Sequence, residues 1–307
     1  MRARRSCLSV PGSQRRFHEK ADGTPADMVL FDLEDSVAPS AKESAREQVV
    51  QALRAYRYEG KVRGLRVNGL ETRWCADDVR HLVEGAGDRV DTVVVPKVEE
   101  ADHVSFFHHL LGQLERKLGV ERRIGLELQI ESARGLENAA RIAAASPRVE
   151  TLIFGPVDFA ADLRLPGLRS GDLRRDYPGD FWHYFLVRIL VAARAHGLQA
   201  IDGPYVQVRD TEGLREFAGR AASLGYDGKW ALNPTQVDIL NEVFAPSQED
   251  FDRASAIVEA YRRATDEEAR GAVMLGDEMI DEASRKLALV TVDRGRAAGL
   301  RPSEPGG

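Results

Sequence analysis

Short runs of β-branched and apolar residues alternate with longer segments whose apolar positions recur at helical spacing, up to about residue 260. The strand-like runs are Cys7–Val10, Met28–Leu33, Gly64–Val67, Thr92–Val95, Gly125–Ile130, Thr151–Phe154, Gln199–Ile201 and Lys229–Leu232. Between them, Ala45, Val49, Ala52 and Leu53 share one helical face behind Ser40 and Glu43, whose spacing predicts a capping box. Val104, Phe107, Leu111 and Leu114 stripe Glu99–Leu118, and Phe185–Ala195 is apolar enough for a buried helix. Repeated βα units predict a parallel sheet, and eight of them in about 250 residues favour a closed (β/α)8 TIM barrel over an open doubly wound sheet.

Beyond Pro246 the pattern changes. A helix is expected over Glu249–Arg263, then a charged stretch Thr265–Arg270, a brief β-turn-β element over Gly271–Met279, and a helix over Asp281–Gly295 carrying Ala283, Leu287 and Val290. The expected organisation is a barrel over 1–246, a C-terminal helical extension or lid over 247–300, and a tail over 301–307.

Both faces of a barrel strand are ordinarily apolar, so polar residues inside need a reason. The run Gly125–Glu131 puts Leu126, Leu128 and Ile130 on one face and Glu127, Gln129 and Glu131 on the other. Carboxylates buried there require a cation, an arginine or a bound substrate. The next strand ends in Phe154-Gly155-Pro156-Val157-Asp158, a turn that brings a second carboxylate to the same rim. Glu131 and Asp158 together suit magnesium, which tolerates few protein ligands; the competing reading makes each a helix cap. Other predicted strand ends carry Asp32, Glu34 and Asp35, Arg66 and Asn68, Pro96 and Lys97, Asp202, and Asn233, on the face where barrel enzymes place their sites. Arg66 is the candidate for gripping a substrate carboxylate, against a structural ion pair with Glu34 or Asp35. Lys97 reads as a buried ion-pair partner at that site.

Composition narrows the function class. Forty-three basic and 49 acidic side chains give a net charge of -6, which disfavours nucleic acid or an anionic membrane as a general partner. Locally, Arg2, Arg4, Arg5, Arg15 and Arg16 could meet a phosphorylated ligand or form a solvated basic start. Two cysteines, no apolar run near the ~18 residues of a membrane span, and an N-terminal apolar stretch ending at Pro11-Gly12 point to the reducing cytoplasm. The histidines lack metal-ligand spacing, and no glycine-rich nucleotide motif occurs.

The segments Ser9–Ser13, Asp32–Asp35, Arg66–Asn68, Val95–Lys97, Gln129–Gly135, Phe154–Asp158, Ala200–Pro204, Gly228–Trp230 and Met279–Asp281 resemble, in order, those of the HpcH/HpaI aldolase and citrate lyase beta subunit family, in its malyl-CoA and citramalyl-CoA lyase branch. The resemblance implies a magnesium-dependent carbon–carbon lyase acting on a short 3-hydroxyacyl-CoA, with manganese able to substitute. It implies Glu131 and Asp158 as metal ligands, Arg66, Asp35, Lys97, Gly155 and Pro156 around the oxoacid end, and coenzyme A near Arg15, Arg16 and Lys20. It also implies Asp281 as the acid/base, supplied to a neighbouring subunit of a homotrimer or homohexamer. Alternatives on the same scaffold are a malate-synthase-like condensation, an acyl-CoA thioesterase, and a non-catalytic paralogue that binds a CoA ligand. Asn233 and Val157 depart from the residues common in relatives.

Overall fold

The computed structural model describes residues 2–165, 179–268 and 270–303. Each predicted strand run forms a strand: β1 (Ser6–Pro11), β2 (Met28–Asp32), β3 (Val62–Arg66), β4 (Thr92–Val95), β5 (Gly125–Ile130), β6 (Val149–Phe154), β7 (Gln199–Asp202) and β8 (Gly228–Ala231). All pairings are parallel, and β1 closes the barrel on β8 through Cys7 opposite Trp230. Cys7, Met28, Leu30, Val62, Val94, Ile153, Ile201 and Trp230 form one buried apolar cluster. Gly64 keeps this cluster closed, because a Cβ there would lie 2.1 Å from Met28 Cε.

The helix Lys42–Ala55 buries Ala45, Val49, Ala52 and Leu53 as their spacing predicts. The expected capping box is absent. Pro39 opens a short 3-10 turn over Pro39–Ala41 that takes in Ser40, and the helix starts behind Ala41 with no side-chain cap. Helices Ala101–Leu118 and His183–Ala195 occupy the other two predicted segments.

At the strands' N-terminal ends the basic start is consumed. Arg4 is buried and bonds Glu127 Oε1 (3.1 Å), Gln199 Oε1 (2.5 Å) and Glu150 Oε2 (2.5 Å). Arg5 forks onto Asp27, and Arg2 pairs with Glu150. These three arginines therefore complete the barrel floor and leave the predicted phosphate patch to Arg15 and Arg16.

Asn241–Gly307 clusters as a second compact unit, separate from Met1–Leu240. Within it, a helix over Gln248–Glu268 precedes an antiparallel hairpin of β9 (Ala272–Leu275) and β10 (Glu278–Asp281), then a helix over Glu282–Ala297. The last helix does not bury the predicted stripe. Leu287 is 73% exposed and Val290 half exposed, while Ala288 and Val292 pack on Phe251 and Ala254. Gly295 sets this rotation, since a Cβ there would fall 2.2 Å from the Phe251 ring. Among the described residues no helix is long and apolar enough to cross a membrane.

Candidate active site at the barrel rim

The three polar residues of the fifth strand run lie in the barrel interior, all buried, but they are not equivalent. Glu127, nearest the floor, is answered by the Arg4 guanidinium and by the hydroxyls of Thr92 (2.9 Å) and Thr151 (3.3 Å). Glu131, just past the C-terminal end of β5, has no such partner. Its Oε1 accepts the Lys97 backbone amide at 2.7 Å and its Oε2 the Gln129 side-chain amide at 3.2 Å, and among the described residues it forms no ion pair. Burial, and then the neighbouring charges of Glu34 and Asp158, push its pKa up to about 8.

Backbone geometry sets this carboxylate. Lys97, at the turn after β4, holds φ at +53°, a left-handed conformation that aims its N–H at Glu131. Opposite, Gly155 leaves the space Glu131 occupies: a Cβ at Gly155 would lie 2.4 Å from Oε2. Pro156 then starts the helix Pro156–Asp162, with its locked φ suited to a first helical position, and Asp158 stands in that first turn. Neither acidic residue acts as the predicted cap, because Ser132 caps the helix after Glu131 by accepting from Gly135 N.

Around Glu131 stand Asp158, Glu34 and Asp35, with Lys97 between them. Lys97 Nζ lies 2.7 Å from Glu34 Oε1, 3.8 Å from Asp158 Oδ1 and 4.0 Å from Asp35 Oδ1. Burial opposes the Lys97 charge, but the Glu34 hydrogen bond and the surrounding carboxylates raise its pKa. The predicted ion pair is present, yet the side chain is 46% exposed rather than buried, since the left-handed turn swings it onto the rim.

Arg66 is buried at the end of β3. Its Nε and Nη2 fork onto Asp32 at 2.7 Å each, and Trp230 lies under the guanidinium, 5.2 Å to the ring centroid. Burial works against the Asp32 charge, but Arg66 outweighs it and holds that carboxyl below its usual range. The planar fork is thus spent on Asp32, a partner the sequence reading did not name. Only Nη1 reaches the rim, 2.9 Å from Glu34 Oε2 and 3.5 Å from Asp35 Oδ2. That Glu34 oxygen is buried and accepts no aligned hydrogen bond among the described residues, and burial raises the Glu34 pKa despite both cations.

Among the described residues, carboxylates thus outnumber cations at the rim, and they offer hard oxygens with spare lone pairs. Among the described residues no group of three or more His, Cys, Asp or Glu forms a ready-made cage. Sparse carboxylate ligation completed by water and substrate oxygens is what magnesium accepts, so the residues present fit that ion.

The remaining predicted positions lie apart from this cluster or do other work. Asn68 bonds Asp78, Asp202 pairs with Lys229 at 2.6 Å, and Asn233 caps the turn Pro234–Gln236. Arg15, Arg16 and Lys20 are exposed on the helix Arg15–Asp22, which follows β1 at the C-terminal side of the barrel. Asp281 belongs to the second unit, where it accepts from Ser284 N (2.9 Å) and Oγ (3.1 Å), bonds that lower its pKa.

Comparison with known proteins places this geometry. The chain is 38% identical over 300 residues to the L-malyl-CoA/beta-methylmalyl-CoA lyase of Cereibacter sphaeroides, covering 95% of this chain and 94% of that one. It is 33% identical to a (3S)-malyl-CoA thioesterase of the same species, over 95% of both chains. A solved structure of CitE from Mycobacterium tuberculosis, in complex with magnesium, acetoacetate and coenzyme A, superposes with a TM-score of 0.72 at 27% identity, covering 95% of this chain and 97% of that one. Residues 5–234 match the HpcH/HpaI aldolase/citrate lyase model, and the chain belongs to that family.

Proposed function

We propose that this protein is a magnesium-dependent lyase that cleaves or forms a short 3-hydroxyacyl-CoA, of the malyl-, methylmalyl- or citramalyl-CoA type, giving a 2-oxoacid and an acyl-CoA. The observation that carries the reading is Glu131: a buried carboxylate at the barrel rim, held by two N–H donors, with Asp158 and Glu34 beside it and no ion-pair partner among the described residues.

Glu131 and Asp158 would hold magnesium, which supplies positive charge against the oxygen that becomes the oxoacid carbonyl. Arg66 Nη1 and the Lys97 ammonium offer N–H donors to the substrate's carboxylate end, and Asp35 stands beside both. Gly155 and Pro156 add no side-chain donor; their part is to leave room and shape the wall. In the cleavage direction the hydroxyl loses its proton and the bond to the carbon alpha to the thioester breaks. Asp281, ionised at rest, takes the hydroxyl proton; the freed O–H electrons form the oxoacid carbonyl, the broken bond's pair goes to that carbon, and Asp281 returns the proton there. Arg15, Arg16 and Lys20 are the cations for the phosphates of coenzyme A.

The second unit acts as a lid over a neighbouring subunit in a cytoplasmic homotrimer or homohexamer. Support comes from the apolar side chains it leaves open, Met274, Met279, Leu287 and Val290.

The test is to incubate pure protein and magnesium with each hydroxyacyl-CoA and identify the products. An oxoacid with an acyl-CoA supports the lyase. Free CoA without an oxoacid would establish instead the thioesterase reading, which the similarity to a malyl-CoA thioesterase favours.

A further inference from the structure

Gln129 has no structural reason to be polar. It is 3% exposed inside the barrel, and its cross-strand partner is the apolar Ile153. The acid below it, Glu127, is already satisfied by Arg4, Thr92 and Thr151. Its side-chain carbonyl, Oε1, is buried with no hydrogen-bond partner among the described residues, which the fold would avoid with a methionine or leucine at the same place. Among the described residues the side chain makes one hydrogen bond, the Nε2 donation to Glu131 Oε2 at 3.2 Å.

We infer that Gln129 is a positioning residue for the metal carboxylate. Once a cation has displaced the Glu131 proton the carboxylate accepts only, so in the metal-bound state Gln129 must turn its NH2 toward Glu131 and its carbonyl away. With Lys97 N on Oε1 and Gln129 Nε2 on Oε2, each oxygen of Glu131 is held by one donor and keeps lone pairs for a cation. Gly155, lacking a Cβ, leaves the carboxylate its space on the third side. The orphaned Oε1 is the cost of that orientation. Outer groups that orient a metal ligand set its affinity, and here the protein would offer only two ligands to orient.

This inference rests on Glu131 as a magnesium ligand, so the experiment separates the two. Magnesium binding to the full chain is measured by titration calorimetry for wild type, Glu131→Gln, Gln129→Met and Gln129→Asn, alongside thermal unfolding without metal. Glu131→Gln should abolish binding; if it binds as wild type does, the metal reading itself fails. If that control behaves, Gln129→Met should weaken binding by about 10- to 100-fold. Its metal-free melting temperature should equal or exceed the wild type's, because the orphaned carbonyl is gone. Gln129→Asn keeps the amide but shortens its reach, and should weaken binding similarly even if the methionine variant does not fold. Wild-type affinity in the folded variants, with a lowered metal-free melting temperature, would mean that Gln129 serves the fold alone and would overturn the inference.

Discussion

The backbone amide of Lys97 donates to Oε1 of Glu131 at 2.7 Å, so the turn after one strand fixes the carboxylate that ends the next. The Lys97 side chain meanwhile reaches Glu34 and Asp158, which places one residue on both sides of the charge balance at the rim.

That balance predicts a pH dependence. The Glu131 carboxyl sits at about 8 against an ordinary 4.5, so the folded, metal-free protein holds a proton there that the unfolded chain has released. Stability without metal should therefore fall as pH rises from about 4.5 through about 8 through this group. Magnesium must displace the same proton, so its affinity should rise over that window and level off above it. Thermal melts across pH, with and without magnesium, check both signs, and Glu131→Gln should flatten them.

Gly155→Ala should damage the site. The added methyl would lie 2.4 Å from Glu131 Oε2 and force that carboxylate from its two donors. We expect a stability loss of about 1–3 kcal/mol from overpacking, together with weakened magnesium binding. A variant with wild-type metal affinity would show that Glu131 can shift without consequence.

Arg66→Met removes the fork on Asp32 and leaves a buried carboxylate unpaired, which should cost about 3–5 kcal/mol in denaturant unfolding. Adding Asp32→Asn should recover part of that stability without restoring turnover. Recovery of turnover in the double variant would remove Arg66 Nη1 from substrate binding.

Arg4→Met exposes the contrast between the two ends of the barrel. Glu127 would lose its cation, and unfolding should become easier by about 3–5 kcal/mol. At temperatures well below the lowered Tm, kcat should stay near the wild-type value, because Arg4 lies at the floor with Glu127, Gln199 and Glu150. A large fall in kcat in folded protein would count against a purely structural floor.

Asp281→Asn should bind magnesium normally and lose turnover. Asparagine caps a helix about as well as aspartate, so the helix Glu282–Ala297 should persist while the proton-transfer group is lost. Near-normal turnover would take Asp281 out of the mechanism.

Strand identity was legible because each strand is a short apolar run between turn signals, and the polar alternation in Gly125–Glu131 announced an interior that needed charge compensation. The sequence could thus place Glu131 and Asp158 on consecutive strand ends. It could not say which of Glu127 and Glu131, two like residues on one strand face, the protein itself compensates. Which of them meets an arginine depends on the chain start folding under the barrel to deliver Arg4, a contact 123 residues distant in sequence. The pairing of Arg66 with Glu34 and Asp35 was foreseen, but its Asp32 partner was hidden for the same reason, since only the β2–β3 register sets Asp32 beside it. Local pattern and propensity determined the elements and the end of the barrel that carries chemistry. Charge pairing, side-chain exposure and the buried face of the last helix were decided by tertiary packing, because each depends on which distant group fills the adjoining space.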